Sequence, residues 1–169
     1  MTNYKTLPIG SQAPELINAV IEIPRGSNNK YEFDPDLKVF KLDRVLYSPV
    51  FYPADYGFIP NTLAKDGDPL DVLVLLSNPT FPGCVIEAYP VGILEMTDDK
   101  GLDEKVLAVA KDDPRFKQIR SLKDVNAHLL KEIEHFFVVY KNLENKHCSV
   151  VGWADREVAY EKINAYALK

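Results

Sequence analysis

The chain has 169 residues, 46% hydrophobic and 27% charged, with a formal net charge of −5 at pH 7. That length and composition suit one globular domain over residues 1–169. The acid excess argues against a general nucleic-acid or acidic-membrane binder, because both need a basic surface. Only two cysteines occur, Cys84 and Cys148, too far apart for a paired metal motif. Few thiols without ligand spacing fit a reducing, cytoplasmic setting. His147 beside Cys148 reads as a surface pair. Residues 1–10 carry one lysine and no apolar stretch, unlike a secretory signal. The longest apolar runs are about five residues, against the roughly twenty that cross a bilayer.

Prolines crowd the first two-thirds of the chain, among them Pro24, Pro35, Pro49, Pro53, Pro60, Pro69, Pro79, Pro82 and Pro90. Each removes a backbone donor and breaks a helix, so short strands joined by turns are predicted there. The strands fall at 18–23, 30–34, 39–46, 71–76, 85–96 and 105–110. Alternation in Val39-Phe40-Lys41-Leu42-Asp43-Arg44 predicts a strand with one buried face. From residue 124 to 140 the apolar period changes to three and four, through Val125, Leu129, Ile133, Phe136, Phe137 and Tyr140. That predicts an amphipathic helix capped by Asp124. A last strand over 150–153 and a second helix over about 156–167, capped by Asp155, complete the chain. The class is α+β, mainly β: a small β-barrel flanked by two C-terminal helices.

The most informative stretch is Asp66-Gly67-Asp68-Pro69-Leu70-Asp71, followed by the apolar run Val72-Leu73-Val74-Leu75-Leu76. Three crowded carboxylates repel one another, and a hard divalent cation reverses that cost. Taken alone, the stretch reads equally well as a polar surface turn or as a cation site. It is not a calcium loop of the EF-hand kind, because positions six and twelve counted from Asp66 hold Asp71 and Ser77. A second acidic stretch, residues 96–105, follows a long strand and resembles a hairpin turn; it carries Asp98 and Asp103. Glu22 sits inside an apolar strand, and Lys30 and Glu32 share one strand face. The tyrosine- and proline-rich segment 47–60 brings Tyr52 and Tyr56. Lys30, Arg44, Lys105 and Lys141, with Tyr52, Tyr56 and Tyr140, could hold an anion against cations gathered by the acids. That combination suits phosphoryl transfer to water. A broader metal-dependent phosphohydrolase and a non-enzymatic metal-binding barrel are the alternatives.

The ordered series goes further. Asp66-Gly67-Asp68-Pro69-Leu70-Asp71-Val72 resembles the signature of the bacterial-type family I soluble inorganic pyrophosphatases. Glu22-Ile23-Pro24, Lys30-Tyr31-Glu32, Asp43-Arg44, Phe51-Tyr52-Pro53, Tyr56-Gly57, Pro90-Val91-Gly92, Met96-Thr97-Asp98, Asp124-Val125-Asn126 and His135-Phe136-Phe137 recur in order at that family's spacings.

The resemblance implies a five-stranded OB-like barrel and Mg²⁺-dependent hydrolysis of pyrophosphate to two phosphates by a metal-activated water, with Mn²⁺ or Zn²⁺ as alternative cations. By matching position, Asp66, Asp71 and Asp103 would hold the tightest cation, with Asp71 also serving a second. Asp98 and Asp103, with Glu22 or Glu32 nearby, would serve cations arriving with substrate. Lys30, Arg44, Lys105, Tyr140 and Lys141 would bind phosphate oxygens beside Tyr56, with Tyr52 in support. Asp68 would accept or orient the proton of the attacking water. The resemblance also implies a homo-oligomer, a hexamer. His135 matches one histidine resembling a subunit contact, and Val139 stands where relatives often carry a second.

Overall fold

The structure is a computed structural model describing residues 2–168. Among these described residues nine strands form in chain order: β1 (Ile17–Ile23), β2 (Asn29–Asp34), β3 (Val39–Val45), β4 (Asp55–Phe58), β5 (Asp71–Leu75), β6 (Val85–Asp98), β7 (Gly101–Leu102), β8 (Lys105–Ala110) and β9 (Ser149–Asp155). Two helices, α1 (Ala127–Val139) and α2 (Arg156–Tyr166), lie on either side of β9 in sequence.

Strand pairing closes a ring. β1 pairs with β4, β4 with β5, β5 with β8, β8 with β6, and β6 returns to β1. The result is a five-stranded OB-like barrel, in which closure removes the unpaired edges. β6 makes closure feasible through its length of 14 residues and a register shift between Pro90 and Gly92. A bulge there bends the strand, so that its first part pairs with β1 and its later part with β9. Gly57 on β4 is required by close approach: a Cβ there would sit 1.8 Å from the Val20 carbonyl oxygen.

Both faces of β5 and β8 are covered. Leu73, Leu75, Leu107 and Val109 pack with Ile133, Phe136 and Phe137 of α1. Val72, Val74, Val106 and Ala108 pack in a second cluster with Ala159 and Ile163 of α2. Burial on both faces explains why the run after Asp71 is continuously apolar rather than alternating.

Several expectations need correction. The segment 47–60 contains a strand, β4, all of whose residues are buried; its Pro and Gly content hid the short extended run. The helix predicted from 124 begins at Ala127, with Asn126 as its cap, accepting from the His128 and Leu129 N–H groups. Asp124 instead accepts from the Arg120 and Ser121 N–H groups around a single 3₁₀ turn. β3 does not bury one face: with β2 it forms a separate two-stranded sheet, leaving Val39, Leu42 and Val45 exposed. That hairpin is held through Phe33, which packs with Val20 and Phe58 of the barrel and with Tyr4. Cys148 is buried in the α1 cluster rather than at the surface. The second helix, its Asp155 cap and the final strand lie within a residue or two of expectation. No helix of the described residues is long and apolar enough to cross a membrane.

Candidate active site

The decisive topological feature is that β5 and β8 run parallel, with Asp71 opposite Lys105 at their starts. Parallel neighbours begin at the same end of a sheet, so the acidic turn before β5 and the acidic hairpin before β8 must meet there. They meet at an open cleft of about 210 Å³. Asp66, Asp68, Asp71, Asp98 and Asp103 line it, together with Glu22 of β1 and Glu32 of β2. Lys30, Lys105, Lys141, Tyr56 and Tyr140 complete the predicted set that reaches the wall.

Lys105 is the hub. It is buried, and its Nζ donates to Asp71 Oδ2 and Asp103 Oδ1 at 2.7 Å each and to the Tyr56 hydroxyl at 3.1 Å. Its ammonium also lies 5.0 Å from the Phe137 ring centre. Burial opposes that charge, but the Asp71 and Asp103 carboxylates outweigh it and raise the Lys105 pKa above the ordinary value. The Tyr56 hydroxyl donates to Asp71 Oδ2 at 2.5 Å. Burial first, then the neighbouring Asp71 and Asp103 charges, hold Tyr56 protonated. Burial likewise raises the Tyr140 pKa.

The other groups differ in their charge environment. Lys141 Nζ lies 3.2 Å from Asp98 Oδ2. Burial works against ionised Asp98, yet the Lys100 N–H and the Lys141 ammonium prevail and keep its pKa low. Asp66 accepts from the Asp68 N–H at 3.0 Å. That bond does not offset burial and the Asp71 charge, so the Asp66 pKa is raised. Glu22 accepts from the Phe33 N–H at 2.7 Å, and burial lifts its pKa to about 7. Lys30 pairs with Glu32 and lies 3.5 Å from Asp43. Gly67 adopts φ 90°, a conformation that favours glycine and turns the chain between Asp66 and Asp68.

Two predicted residues do not reach the cleft wall. Arg44 is the cross-strand partner of Lys30, but its guanidinium is engaged by Glu144 at 2.9 Å and Asp43 at 2.5 Å. Tyr52 is buried behind the wall, its ring 5.3 Å from Tyr56 and 4.7 Å from Phe136. Conversely, Lys5 and Lys100 line the cleft without having been singled out. Lys100 was visible within the second acidic stretch. Lys5 carried no local signal: it arrives because its carbonyl accepts from the Asn61 N–H and Tyr4 packs on Phe33, placing Nζ 3.6 Å from Asp68.

Seven carboxyl groups and five lysines thus share one cleft. Its lining acids are all hard oxygen donors, and neither histidine nor cysteine appears among the described lining residues, which fits Mg²⁺ or Mn²⁺ better than a soft cation. Among the described residues no three such side chains are already clustered to hold a metal ion. Asp71 and Asp103 converge on Lys105 instead. The donor chemistry of the lining acids fits such a cation.

Residues 19–168 match the family model described as inorganic pyrophosphatase. The inorganic pyrophosphatase of Halalkalibacterium halodurans is 58% identical over 151 residues, covering 89% of this chain and 93% of that protein. That of Thermus thermophilus is 54% identical over 168 residues, covering 98% and 96%. A crystal structure of the Thermus thermophilus inorganic pyrophosphatase superposes with a TM-score of 0.96 at 52% identity, covering 98% of this chain and 97% of the other. An inorganic pyrophosphatase structure from Helicobacter pylori, 42% identical and covering 95% of each chain, gives 0.90. Fold and sequence agree over nearly the whole chain, which belongs to the inorganic pyrophosphatase family.

Proposed function

We propose that this chain hydrolyses inorganic pyrophosphate to two phosphates in a Mg²⁺-dependent reaction, by direct attack of an activated water. The observation carrying the proposal is the meeting of both acidic turns with Lys30, Lys105 and Lys141 in one cleft. Asp66, Asp71 and Asp103 would hold the tightest cation, and Asp98, Asp103 and Glu22 or Glu32 those arriving with substrate. Bound divalent cations neutralise phosphate charge and make water more acidic.

The chain's own groups supply position and proton handling. Lys30, Lys105 and Lys141 direct ammonium groups at phosphate oxygens, and Arg44 joins them by exchanging one of its carboxylate partners for substrate. Tyr140, kept neutral by burial, donates its hydroxyl hydrogen, and Tyr56 does so by exchanging its bond to Asp71 for substrate, with Tyr52 backing Tyr56 by ring packing. Asp68, on the more exposed part of the wall, accepts or orients the proton of the attacking water. Preorganised charges in the cleft favour the charge that develops on the leaving phosphate.

The deciding assay is phosphate release from pyrophosphate, ATP and tripolyphosphate, each with Mg²⁺ and with chelator. Selective, chelator-sensitive release from pyrophosphate is expected. Release from all three would point to a broader phosphohydrolase, and no release alongside tight metal binding to a non-enzymatic barrel. A cytoplasmic homohexamer accompanies this reading as what the family resemblance implies. Light scattering giving a mass near 19.1 kDa would remove the oligomer.

A further inference from the structure

Glu104 lies between Asp103 and Lys105, yet it plays no part in the cleft. Along an extended chain successive side chains point to opposite sides. Asp103 and Lys105 face the cleft, and Glu104 faces away from it, toward α2. There it is buried, with 6% of its surface exposed. The Tyr166 hydroxyl donates to its Oε2 at 2.7 Å, and Lys162 Nζ lies 2.5 Å from Oε1 as a charge contact without hydrogen-bond geometry, Oε1 having no hydrogen-bond partner among the described residues. A buried carboxylate is costly unless paired, so the Tyr166 hydrogen bond and the Lys162 charge join α2 to the 103–105 segment.

The same tyrosine reaches the other acidic turn through its main chain. The Tyr166 carbonyl accepts from the Leu63 N–H at 2.8 Å, three residues before Asp66. The next two residues continue the contact: Ala167 bridges to Thr62, and the Leu168 N–H donates to the Asn61 carbonyl. Thr62 in turn closes the base of the turn, donating to the Ile59 carbonyl and accepting from the Leu70 N–H at 2.9 Å.

We propose that Tyr166, with Glu104 and Lys162, is a positioning brace that fixes the spacing of the two acidic turns and so sets the divalent-cation affinity of the cleft. The brace acts through main-chain placement of Asp66 and Asp103 and touches no substrate. It rests on the cleft being the cation-dependent site described above. Supporting groups behind metal ligands commonly govern affinity about tenfold or more.

The test is equilibrium Mn²⁺ binding by electron paramagnetic resonance, without pyrophosphate, on wild type, Tyr166→Phe, Lys162→Met and the control Tyr160→Phe on the same helix. Thermal unfolding is followed in parallel, and the Mn²⁺ dependence of pyrophosphate hydrolysis is measured. Tyr166→Phe should weaken Mn²⁺ binding about tenfold and Lys162→Met less, with Tyr160→Phe unchanged. Turnover at saturating Mn²⁺ should be recovered in both brace variants, separating a positioning effect from a chemical one. Folded Tyr166→Phe and Lys162→Met proteins that bind Mn²⁺ as tightly as wild type would overturn the brace. Lys162→Met, altering a side chain at the edge of the contact, decides the matter if Tyr166→Phe does not fold. Weakened binding in the variants of a chain that does not hydrolyse pyrophosphate would uphold the brace and remove the proposed reaction. Active wild type with unchanged variant affinities would do the reverse.

Discussion

In the turn before β5, Asp66 and Asp68 face the cleft with one ion pair between them among the described residues, the 3.6 Å contact from Lys5 to Asp68. Around β8 and the end of α1, by contrast, Asp103 has Lys105 at 2.7 Å and Asp98 has Lys141 at 3.2 Å. The first turn holds its acids by backbone geometry, through the Asp66 acceptor and positive-φ Gly67. The second region holds them by charge. The difference shows in their acidity: burial raises the Asp66 pKa above its ordinary value, while, against burial, the Lys100 N–H and Lys141 keep that of Asp98 below it. On the proposed function, a divalent ion entering the cleft would relieve the first turn and compete with lysine for the second.

The largest effect should come from the under-compensated side. Asp68→Asn keeps size and turn geometry but removes the proposed proton acceptor. It should lower turnover about 10³-fold, within the range of general acid–base groups, while leaving thermal unfolding and Mn²⁺ binding close to wild type. Near wild-type turnover in this variant would remove Asp68 from proton handling and leave the turn a purely cation-holding element.

Lys105→Met tests the compensated side. It strips the ammonium from Asp71 and Asp103, whose side chains are 27% and 13% exposed. Leaving such acids unpaired should destabilise the metal-free protein by about 3 kcal/mol, the low end for broken buried pairs because water still reaches Asp71. Added Mg²⁺ should restore more stability to this variant than it adds to wild type, as read from urea unfolding. An equal Mg²⁺ increment in both proteins would mean that lysine and cation do not compete.

A smaller contrast comes from neutralising one acid on each side. Without metal at pH 7, Asp66→Asn relieves a carboxylate that folding disfavours and should be neutral or stabilising by about 0.5 kcal/mol, a value limited by its partial exposure. Asp98→Asn should destabilise by a similar amount, since it loses the Lys141 pair. The same sign for both variants would dissolve the distinction between the turns.

How far the sequence carried this contrast depends on which contacts are local. The acidic turns, the apolar run of β5 and the α2 cap were legible because each is written in adjacent residues. The convergence of the turns was not, since it follows from parallel pairing of β5 with β8, across the whole of β6. Arg44 and Lys30 looked equivalent on paper, but Lys30 lines the cleft while Arg44 is held by Asp43 and by Glu144, a hundred residues away. Lys5 and the Tyr166–Glu104 contact join chain ends to the site and leave no periodic or motif signal. β4 escaped because Gly57, which strand propensity disfavours, is imposed by close approach to Val20.

The finest test is the order in which the cleft acids titrate in the metal-free protein. Asp98 should lose its proton below the usual Asp value of 3.8, Asp66 above it, and Glu22 near pH 7. The signs for stability follow from linkage. Asp98, with a depressed folded pKa, contributes stability above its unfolded pKa, and that contribution is lost as pH falls through the folded value. Asp66 and Glu22, with raised values, contribute below their unfolded pKa values and lose that contribution as pH rises through the folded ones. For Glu22 the window runs from 4.5 to about 7, so Glu22→Gln should flatten the pH dependence of unfolding there. Carboxyl carbon NMR reads all three groups directly. Asp98 titrating above Asp66 would show that lysine pairing, rather than burial, is the weaker influence, and the two turns would then have exchanged roles.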